Sequence, residues 1–238
     1  MPLTLTIGSG PIALVQNGVV TQTQISGATA GPIPATLPAA STAGTYLLSV
    51  FGGGLFTGSI IQSMPAGWIL LAARPGYQTD YEVWGYPNNP GGIATVSATG
   101  TGLTWWSHMS EWRNVQSGLK SLGQSGTASA AAGTTLMPIT PGVITGSGDL
   151  VVTGWMQRIG FSGAVIFTSP AGYTRLADNR DTNNVGHLDI EYLIGSPNQQ
   201  TSGPTLTSDT TCTADSVGAI VVLKAAPPAA DYTAYLAY

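Results

Sequence analysis

Apolar and polar residues follow one another in short runs that are typical of β-strands. β-branched and aromatic residues cluster in short segments, and glycine, proline or asparagine ends nearly every one. No window of useful length shows apolar residues at helical spacing. We predict strands over residues 3–7, 12–23, 45–51, 59–63, 69–73, 80–85, 93–98, 105–112, 150–157, 163–168, 174–177, 188–194, 204–208 and 217–224.

The same order of sequence landmarks occurs twice. The turn Pro65-Ala66-Gly67-Trp68 recurs 105 residues later as Pro170-Ala171-Gly172-Tyr173. Upstream, segment 44–50 parallels 148–154, and downstream, segment 81–84 parallels 190–193, so that Glu82 matches Glu191. We infer two half-repeats, about residues 32–116 and 134–226, joined by a connector rich in Gly, Ser and Ala at 117–133.

These patterns predict an all-β fold, a jelly-roll-like antiparallel β-sandwich built from two pseudo-repeated halves. One half alone offers about five strands with exposed edges, which a partner must cover. We therefore favour a single sandwich over residues 32–226, in which each half supplies strands to both sheets. An N-terminal arm with strands (1–31) and a C-terminal arm (227–238) flank it. Two tandem domains are the alternative.

Charge is scarce and excludes several classes of protein. Charged residues make up 8% of the chain and the formal net charge is -4, with only seven Lys and Arg. Proteins that bind nucleic acid through its phosphates need clustered basic residues, so we expect no nucleic-acid partner. The apolar runs are shorter than the roughly 20 residues of a spanning helix, and no basic segment precedes one near Met1. We expect neither membrane insertion nor a secretory signal, and the single Cys212 excludes a disulfide within the chain.

Hydroxyls, amides and bare backbone must therefore cover the surface. Such a surface has weak long-range electrostatics and tolerates close neighbours. This composition suits a protein packed densely in an assembly, and a free low-charge β domain is the alternative.

Several packing and turn motifs carry a resemblance to a known family. They are residues 11–16, Thr36-Leu37-Pro38, the Pro65–Trp68 turn, Trp112-Arg113-Asn114-Val115, segment 148–152 and the closing strand 219–224. Over about residues 11–226 the chain resembles a β-sandwich family of tailed-bacteriophage virion structural proteins, tail-associated or capsid-decorating. One departure is Asn89 before Pro90, where the family usually carries Glu. The resemblance implies a virion location after assembly in the host cytoplasm, and no enzymatic activity or particular site.

Tryptophans are candidates for a contact surface. Neighbouring residues of a strand point to opposite faces, so we expect one of Trp105 and Trp106 to lie at a surface or subunit interface. For Trp84, Trp112 and most of the other tryptophans, we expect burial in the core. A third option is a sugar-stacking platform that includes Trp84 and Trp112.

The ionisable residues do not form a recognisable catalytic set. Glu82 and Glu191 invite comparison with a glycosidase, which needs two carboxylates about 5–10 Å apart, but we expect solvent-facing charges on separate strands. The polar loop 178–189 offers oxygen ligands, yet Val185 and Tyr192 occupy ligand positions of the calcium-loop pattern.

We therefore predict no catalytic residues, no metal and no cofactor. His108 and His187 lie in different halves, and no hydrolase, nucleotide or metalloprotease motif occurs. Cys212 is interpreted as a small buried side chain rather than a nucleophile.

The C-terminal arm has a composition of its own. After Pro227-Pro228, tyrosines recur every third residue as Tyr232, Tyr235 and Tyr238, with Leu236 among them. Tyrosine is favoured at interfaces, so we expect the arm to dock on a neighbouring subunit. Folding back on its own domain and disorder are the alternatives.

Together these features predict a non-enzymatic virion protein, either a capsid decoration or cement protein or a tail-attached fibre or adhesion component. Its partners would be other virion proteins and copies of itself, with a trimer as one option. The alternative is a glycan-binding module that engages a host surface through exposed aromatic side chains.

Overall fold

The computed structural model describes residues 10–25, 30–54, 60–75, 79–102, 104–116, 122–130, 136–138, 143–146, 148–158, 165–168, 171–180, 186–195, 199–201, 205–208 and 216–227. These residues form strands, turns and irregular segments. Over the same ranges, no helix is long and apolar enough to cross a membrane.

Nineteen strands occur within the described residues. They are β1 (Ala13–Asn17), β2 (Thr21–Gln24), β3 (Gly31–Thr36), β4 (Tyr46–Gly54), β5 (Ile60–Ser63), β6 (Ile69–Pro75), β7 (Thr79–Tyr86), β8 (Thr95–Thr101), β9 (Thr104–Arg113), β10 (Leu122–Ala130), β11 (Leu136–Pro138), β12 (Val143–Thr145), β13 (Leu150–Arg158), β14 (Val165–Thr168), β15 (Thr174–Arg180), β16 (Gly186–Ile194), β17 (Gln199–Thr201), β18 (Thr205–Ser208) and β19 (Ser216–Leu223).

The strands assemble into antiparallel sheets, which confirms the all-β fold class. Sheet I has the order β1-β9-β4-β7-β6, with β2 also paired to β9, and sheet II has the order β10-β19-β13-β16-β15. A first outer sheet, β3-β8-β5, belongs to the first half, and a second outer sheet, β11-β18-β14, belongs to the second. Strands β12 and β17 form a separate pair.

Apart from β2, β12 and β17, the strands of the two halves correspond one to one. Sheet I and the first outer sheet have the same strand order as sheet II and the second outer sheet. Two pairs of bulges match as well: β1 and β10 each carry one on their ladder with the closing strand, and β6 and β15 each carry one opposite β7 and β16. A duplicated sequence therefore folds into a duplicated structure.

The predicted exchange of strands between the halves is wrong for the described strands. Each named strand pairs only within its own half, and the halves share a single isolated bridge, Val115 to Ala225. Residues 122–130, which lie in the predicted connector, form the edge strand β10 of sheet II. Each half thus completes its own sheet with a preceding segment, β1 and β2 in one case and β10 in the other.

Apolar side chains of both sheets form one central core. Sheet I contributes Val50, Tyr81 and Trp106, and sheet II contributes Met156 and Ile190, among others. Burying an aliphatic side chain of this size stabilises the fold by roughly 1.5–3 kcal/mol. The halves are therefore joined face to face by apolar packing rather than by shared ladders.

The opposite face of sheet I is covered as well. Phe51, Trp105 and Met109 pack there against Ile33 and Val96 of the first outer sheet. This double cover overturns the expectation that Trp105 or Trp106 lies at a surface, because both side chains are fully buried, one in each core.

The edges of sheets I and II and of the first outer sheet are unsuited to further pairing. Strands β1, β5, β6, β10 and β15 each contain a β-bulge, β2 is only four residues long, and β3 carries Pro32 and Pro34. Bulges, short strands and prolines protect edges against edge-to-edge association. At these edges, a neighbouring molecule would therefore bind by another route than strand addition.

The repeated turn landmarks are true turns. Gly67 has a φ of 95° and Gly172 a φ of 90°, which a side chain would strain. Trp68, the residue after the first turn, is buried and lies 5.5 Å from the Tyr86 ring, centroid to centroid. Tyr173 is half-buried, and Pro170 lies outside the described residues.

Candidate functional site

Ionisable side chains are buried on the outward faces of sheets I and II. On β7, Tyr81 and Val83 point into the central core. Residues alternate along a strand, so Asp80 and Glu82 point the other way, towards the first outer sheet. Both are buried.

The carboxylate of Glu82 ties the outer strand β5 to sheet I. Its Oε1 accepts a hydrogen bond from the Ile61 backbone N–H at 3.0 Å, and its Oε2 accepts one from Trp84 Nε1 at 2.7 Å. Burial, and then the charge of Glu82, raise the pKa of Asp80 to about 9. This raised pKa favours the protonated form of the Asp80 carboxyl at neutral pH.

Strand register corrects the predicted equivalence of Glu82 and Glu191. Ser49 of β4 is paired with Trp84, whereas its counterpart Thr153 of β13 is paired with Glu191. Glu82 therefore corresponds to Asp189, two residues away from the prediction. The expectation of solvent-facing carboxylates is also wrong, because Glu82 is 5% exposed and Glu191 is fully buried.

The second half holds a larger charge cluster at the corresponding place. Arg175 lies at its centre, with Nη1 2.6 Å from Asp178 Oδ2, Nε 3.2 Å from Asp189 Oδ1 and Nη2 3.6 Å from Glu191 Oε1. His187 Nε2 bonds to the other oxygen of Asp178. Burial and then the charge of Glu191 raise the pKa of Asp189 to about 8, and burial lowers the pKa of His187.

This geometry keeps Glu82 and Glu191 apart. Glu82 and Glu191 lie on the outward faces of two sheets with the central core between them, and packed sheets alone stand about 10 Å apart. Their described partners are internal: a backbone amide, an indole and a guanidinium. Glu82 therefore holds the outer strand β5 against sheet I, and Glu191 holds the edge strand β15 through Arg175.

The polar loop 178–189 is only partly described. Asp178 belongs to β15 and Asp189 to β16, while residues 181–185 lie outside the described ranges. Within those ranges, no group of three or more His, Cys, Asp or Glu is placed to hold a metal ion.

His108 forms a link between the halves that the sequence analysis missed. Its Nε2 lies 2.8 Å from Asn17 Oδ1, and Asn17 Nδ2 donates to the Leu176 carbonyl of β15 at 2.9 Å. Because Asn17 Nδ2 is the donor, its oxygen accepts from a His108 protonated on Nε2. Burial lowers the pKa of His108 to about 4, so the imidazole is neutral at pH 7.

Two buried polar side chains fix the loops at one end of sheet I. Glu111 accepts hydrogen bonds from the Thr42 backbone N–H at 2.7 Å and Thr45 Oγ1 at 2.8 Å, and also from Gln16. Asn89, the residue that departs from the resembled family, bonds to both Thr42 and Thr45 through its Nδ2. Asn89 therefore anchors the loop, which accounts for a polar residue before Pro90.

A shallow aromatic groove lies beside the repeated turn of the first half. Its volume is about 290 Å³, and its lining residues are Pro65, Ala66, Trp68, Tyr86, Ile93, Thr95, Val96 and Ser97. Trp105, Trp106 and Trp112 are fully buried, which confirms the expected burial of most tryptophans in the core and removes these three from the sugar platform that was the third option. Trp84 is half-buried and donates its indole N–H to Glu82.

The predicted arm contacts lie outside the described residues. These are Tyr232, Tyr235, Leu236 and Tyr238, and Cys212 also falls outside. Comparison with known proteins returned no match, whether to a family model, a curated protein or a solved structure.

Proposed function

We propose that the chain is a non-enzymatic structural protein of a tailed-bacteriophage particle, either a capsid decoration or cement protein or a tail-attached fibre or adhesion component. The observation that carries the proposal is the combination of bulged or proline-bearing sheet edges with an almost uncharged surface. Such a block packs closely against neighbours without fusing to them through strand pairing. The sequence resemblance supports the same class.

Assembly would rest on many weak contacts. Joining rigid blocks at several sites multiplies modest affinities, because each additional contact becomes intramolecular. Tyr232, Tyr235, Leu236 and Tyr238 would supply one such contact by docking on a neighbouring subunit. The partners are copies of the chain and other virion proteins.

Purified particles test the location. Particles of the phage that encodes this chain are banded on a density gradient, digested and analysed by peptide mass spectrometry, and labelled with gold-conjugated antibody. We expect stoichiometric peptides in the particle band and labelling at the capsid or tail. Abundant protein in the lysate with none in the particle band would contradict the proposal.

Truncation tests the arm. A chain ending at Ala226 retains the described pairing of Ala226 N–H with the Asn114 carbonyl at 2.8 Å. We expect it to fold with unchanged circular dichroism and to lose oligomeric mass and particle uptake. An assembly of unchanged mass would count against the arm.

The aromatic groove favours glycan binding as a second candidate function. It combines the partly exposed Tyr86 ring with exposed hydroxyl residues Thr95 and Ser97, groups that suit a neutral sugar. Ala66→Glu would place a charge in the groove, and Ala171→Glu, at the matching turn of the second half, is the control. On a glycan array or host cells, binding lost only in Ala66→Glu supports this candidate, and absence of any binding by the unaltered protein contradicts it.

A further inference from the structure

The aromatic groove of the first half has a rigid wall. The Tyr86 ring lies against the bare backbone of Gly67, where a Cβ would stand 2.5 Å from Cε2 of the ring. The same ring lies 5.5 Å from the buried Trp68 ring, centroid to centroid. Ile93 is held by Ser41, whose N–H donates to the Ile93 carbonyl at 2.9 Å and whose Oγ accepts from the Ile93 N–H at 3.1 Å. The groove is therefore preorganised, which lowers the entropic cost of filling it.

The size and chemistry of the groove suit a single aromatic side chain. Its volume of about 290 Å³ is just below the roughly 300–1,000 Å³ of pockets that hold small-molecule ligands. Apolar Ile93 and Val96 line it together with the Tyr86 ring, and the exposed residues Thr95 and Ser97 add hydroxyl groups. A tyrosine needs both kinds of surface, because its ring packs against apolar groups while its hydroxyl stays hydrogen-bonded.

The corresponding place of the second half has a leucine where the first half has this ring. Val151 of β13 is paired with Leu193, as its counterpart Leu47 of β4 is paired with Tyr86. Gly172 of the second turn accordingly has the Leu193 side chain as its neighbour, at 3.3 Å from a built Cβ. The second turn is therefore a matched control for any ligand that stacks on Tyr86.

The C-terminal arm leaves the described fold at the same end of sheet I as the groove. The Ala226 N–H donates to the Asn114 carbonyl at 2.8 Å, one residue beyond the end of β9. At this end of the sheet, Leu47 of β4 is paired with Glu111 of β9 on one side and with Tyr86 of β7 on the other. Two strand spacings, about 10 Å, therefore separate β9 from Tyr86.

The arm is directed away from its own sheet. Both sides of β9 are occupied, by β1 and β4, so the arm cannot continue there as a further strand. Pro227 and Pro228 hold the backbone extended, and the arm therefore begins as a stiff spacer. A return to its own groove would have to cross loops 41–45 and 87–93, which are hydrogen-bonded to each other at this end of sheet I.

The arm is long enough to enter a neighbouring copy. Residues 228–238 lie beyond the described chain and would span at most about 36–40 Å when extended. Tyr232, five residues after Pro227, would stand up to about 17 Å out, and Tyr235 and Tyr238 follow it. Residues 232–238 include no charged side chain, so inserting them requires no charged side chain to leave water.

Resting on the proposed assembly function, we infer that the aromatic groove is the docking site for the C-terminal arm of a second copy of this chain, with an arm tyrosine inserted beside the Tyr86 ring. Arm and groove lie at the same end of each copy, so two copies that face each other at this end exchange arms reciprocally. Such an exchange gives a closed two-fold contact. Each docked arm is a small contact, and making the contact twice strengthens the pair.

Disulfide trapping between differently tagged copies of the full chain tests the inference. In a Cys212→Ser background, one preparation carries Ala66→Cys in the groove and the other carries Ala234→Cys between the arm tyrosines. Each chain then has a single thiol, so a mixed disulfide forms only between two copies. We expect at least about tenfold more mixed dimer than with Ala171→Cys, at the second turn, because docking raises the effective thiol concentration to the millimolar range.

Three outcomes of this experiment would overturn the inference. One is an equal yield of mixed dimer with Ala66→Cys and Ala171→Cys. Another is an intramolecular disulfide in a chain that carries both Ala66→Cys and Ala234→Cys while the mixture of single variants stays monomeric, because the arm would then fill its own groove. The third is an unchanged preference for Ala66→Cys after Tyr232, Tyr235 and Tyr238 are all replaced by serine.

A charge in the groove separates this inference from the assembly function. Ala66→Glu should lose the oligomeric mass of the unaltered protein and Ala171→Glu should keep it, at equal melting temperatures, because both residues are exposed on turns. Equal masses of the two variants, or equal incorporation of both into purified particles, would overturn the docking site and leave the assembly function standing. Absence of the unaltered protein from the particles would overturn the function itself.

Discussion

Gly186 and Trp106 offer the sharpest test of how the halves fit together. Gly186 begins β16 in the second half, and a Cβ built on it would lie 2.3 Å from Cη2 of Trp106, a residue of the first half. Met156 Cε would stand 2.8 Å away on the same side. Gly186→Ala therefore overpacks the central core, and we expect a loss of about 1–3 kcal/mol in the free energy of unfolding.

Trp106→Phe removes the atoms that the new methyl group would strike. Alone it leaves a void in the core and should cost about 2–3 kcal/mol, somewhat less than full truncation of a buried tryptophan. Combined with Gly186→Ala, the methyl group occupies part of that void. We expect the double variant to lose at least about 1 kcal/mol less than the sum of the single losses.

Equilibrium unfolding in guanidinium chloride, followed by tryptophan fluorescence and circular dichroism, gives the free energy of unfolding of the unaltered protein, the two single variants and the double variant. Gly53→Ala is the control for Gly186→Ala. It also adds a methyl group against a tryptophan, but its Cβ would lie 2.8 Å from the ring of Trp105, in the other core. Gly53→Ala and Trp106→Phe should be additive. Additivity within about 0.5 kcal/mol for Gly186→Ala and Trp106→Phe would refute the proposed fit.

Three further predictions follow from the buried polar groups. The pKa of Asp80 is raised from 3.8 to about 9, so the stability that its proton contributes is complete below pH 3.8 and is lost progressively as pH rises to about 9. Asp80→Asn should flatten that decline in melting temperature, and an unchanged profile would contradict the raised pKa of Asp80. The pKa of His108 is lowered from 6.5 to about 4, so its contribution is present above pH 6.5 and lost as pH falls to about 4. His108→Gln should reduce this acid loss, measured by the same melting curves, and an equally steep loss would count against the buried neutral imidazole. Glu111→Ala leaves the donors of Thr42, Thr45 and Gln16 without their acceptor and should cost about 2–4 kcal/mol in chemical denaturation; a loss below about 0.5 kcal/mol would show that solvent replaces the carboxylate.

The pattern of apolar runs bounded by turn residues was sufficient to predict most strands of sheets I and II. The sequence analysis missed β3, whose Pro32 and Pro34 argue against a strand in general. An edge strand tolerates them, since it pairs only with β8 and proline needs no donor on the open side. Strand β10 was missed because its small residues have little intrinsic propensity for β-strands. It forms because it pairs with β19, and this pairing cannot be seen in the local sequence.

The buried polar sites were harder to predict because their partners are distant in sequence. Thr45 and Glu111 are 66 residues apart, and Asn17 and His108 are 91 apart. The match of Glu82 with Glu191 failed for a different reason. A shift of two residues along a strand preserves the side-chain face, so the apolar pattern cannot detect it, and only the register against β4 and β13 does.

The tryptophan expectation failed because it assumed one open face. The alternation of side chains was predicted correctly, but sheet I has a core on each side. Whether both faces are covered depends on the first outer sheet, whose strand β3 was not recognised. A missed edge strand therefore led to a misplaced surface residue.

The account rests on the claim that two similar halves share one core and behave as a single block. Native-state hydrogen exchange measured by mass spectrometry tests this claim directly, by comparing the backbone amides of β4 with those of β13 across a denaturant series. Because both strands contribute to the central core, we predict that the slowest amides of β4 and β13 exchange only through global unfolding. Their opening free energies, and the dependence of these on denaturant, should then be equal. Exchange of β13 through a separate opening of lower free energy, with β4 still protected, would contradict it.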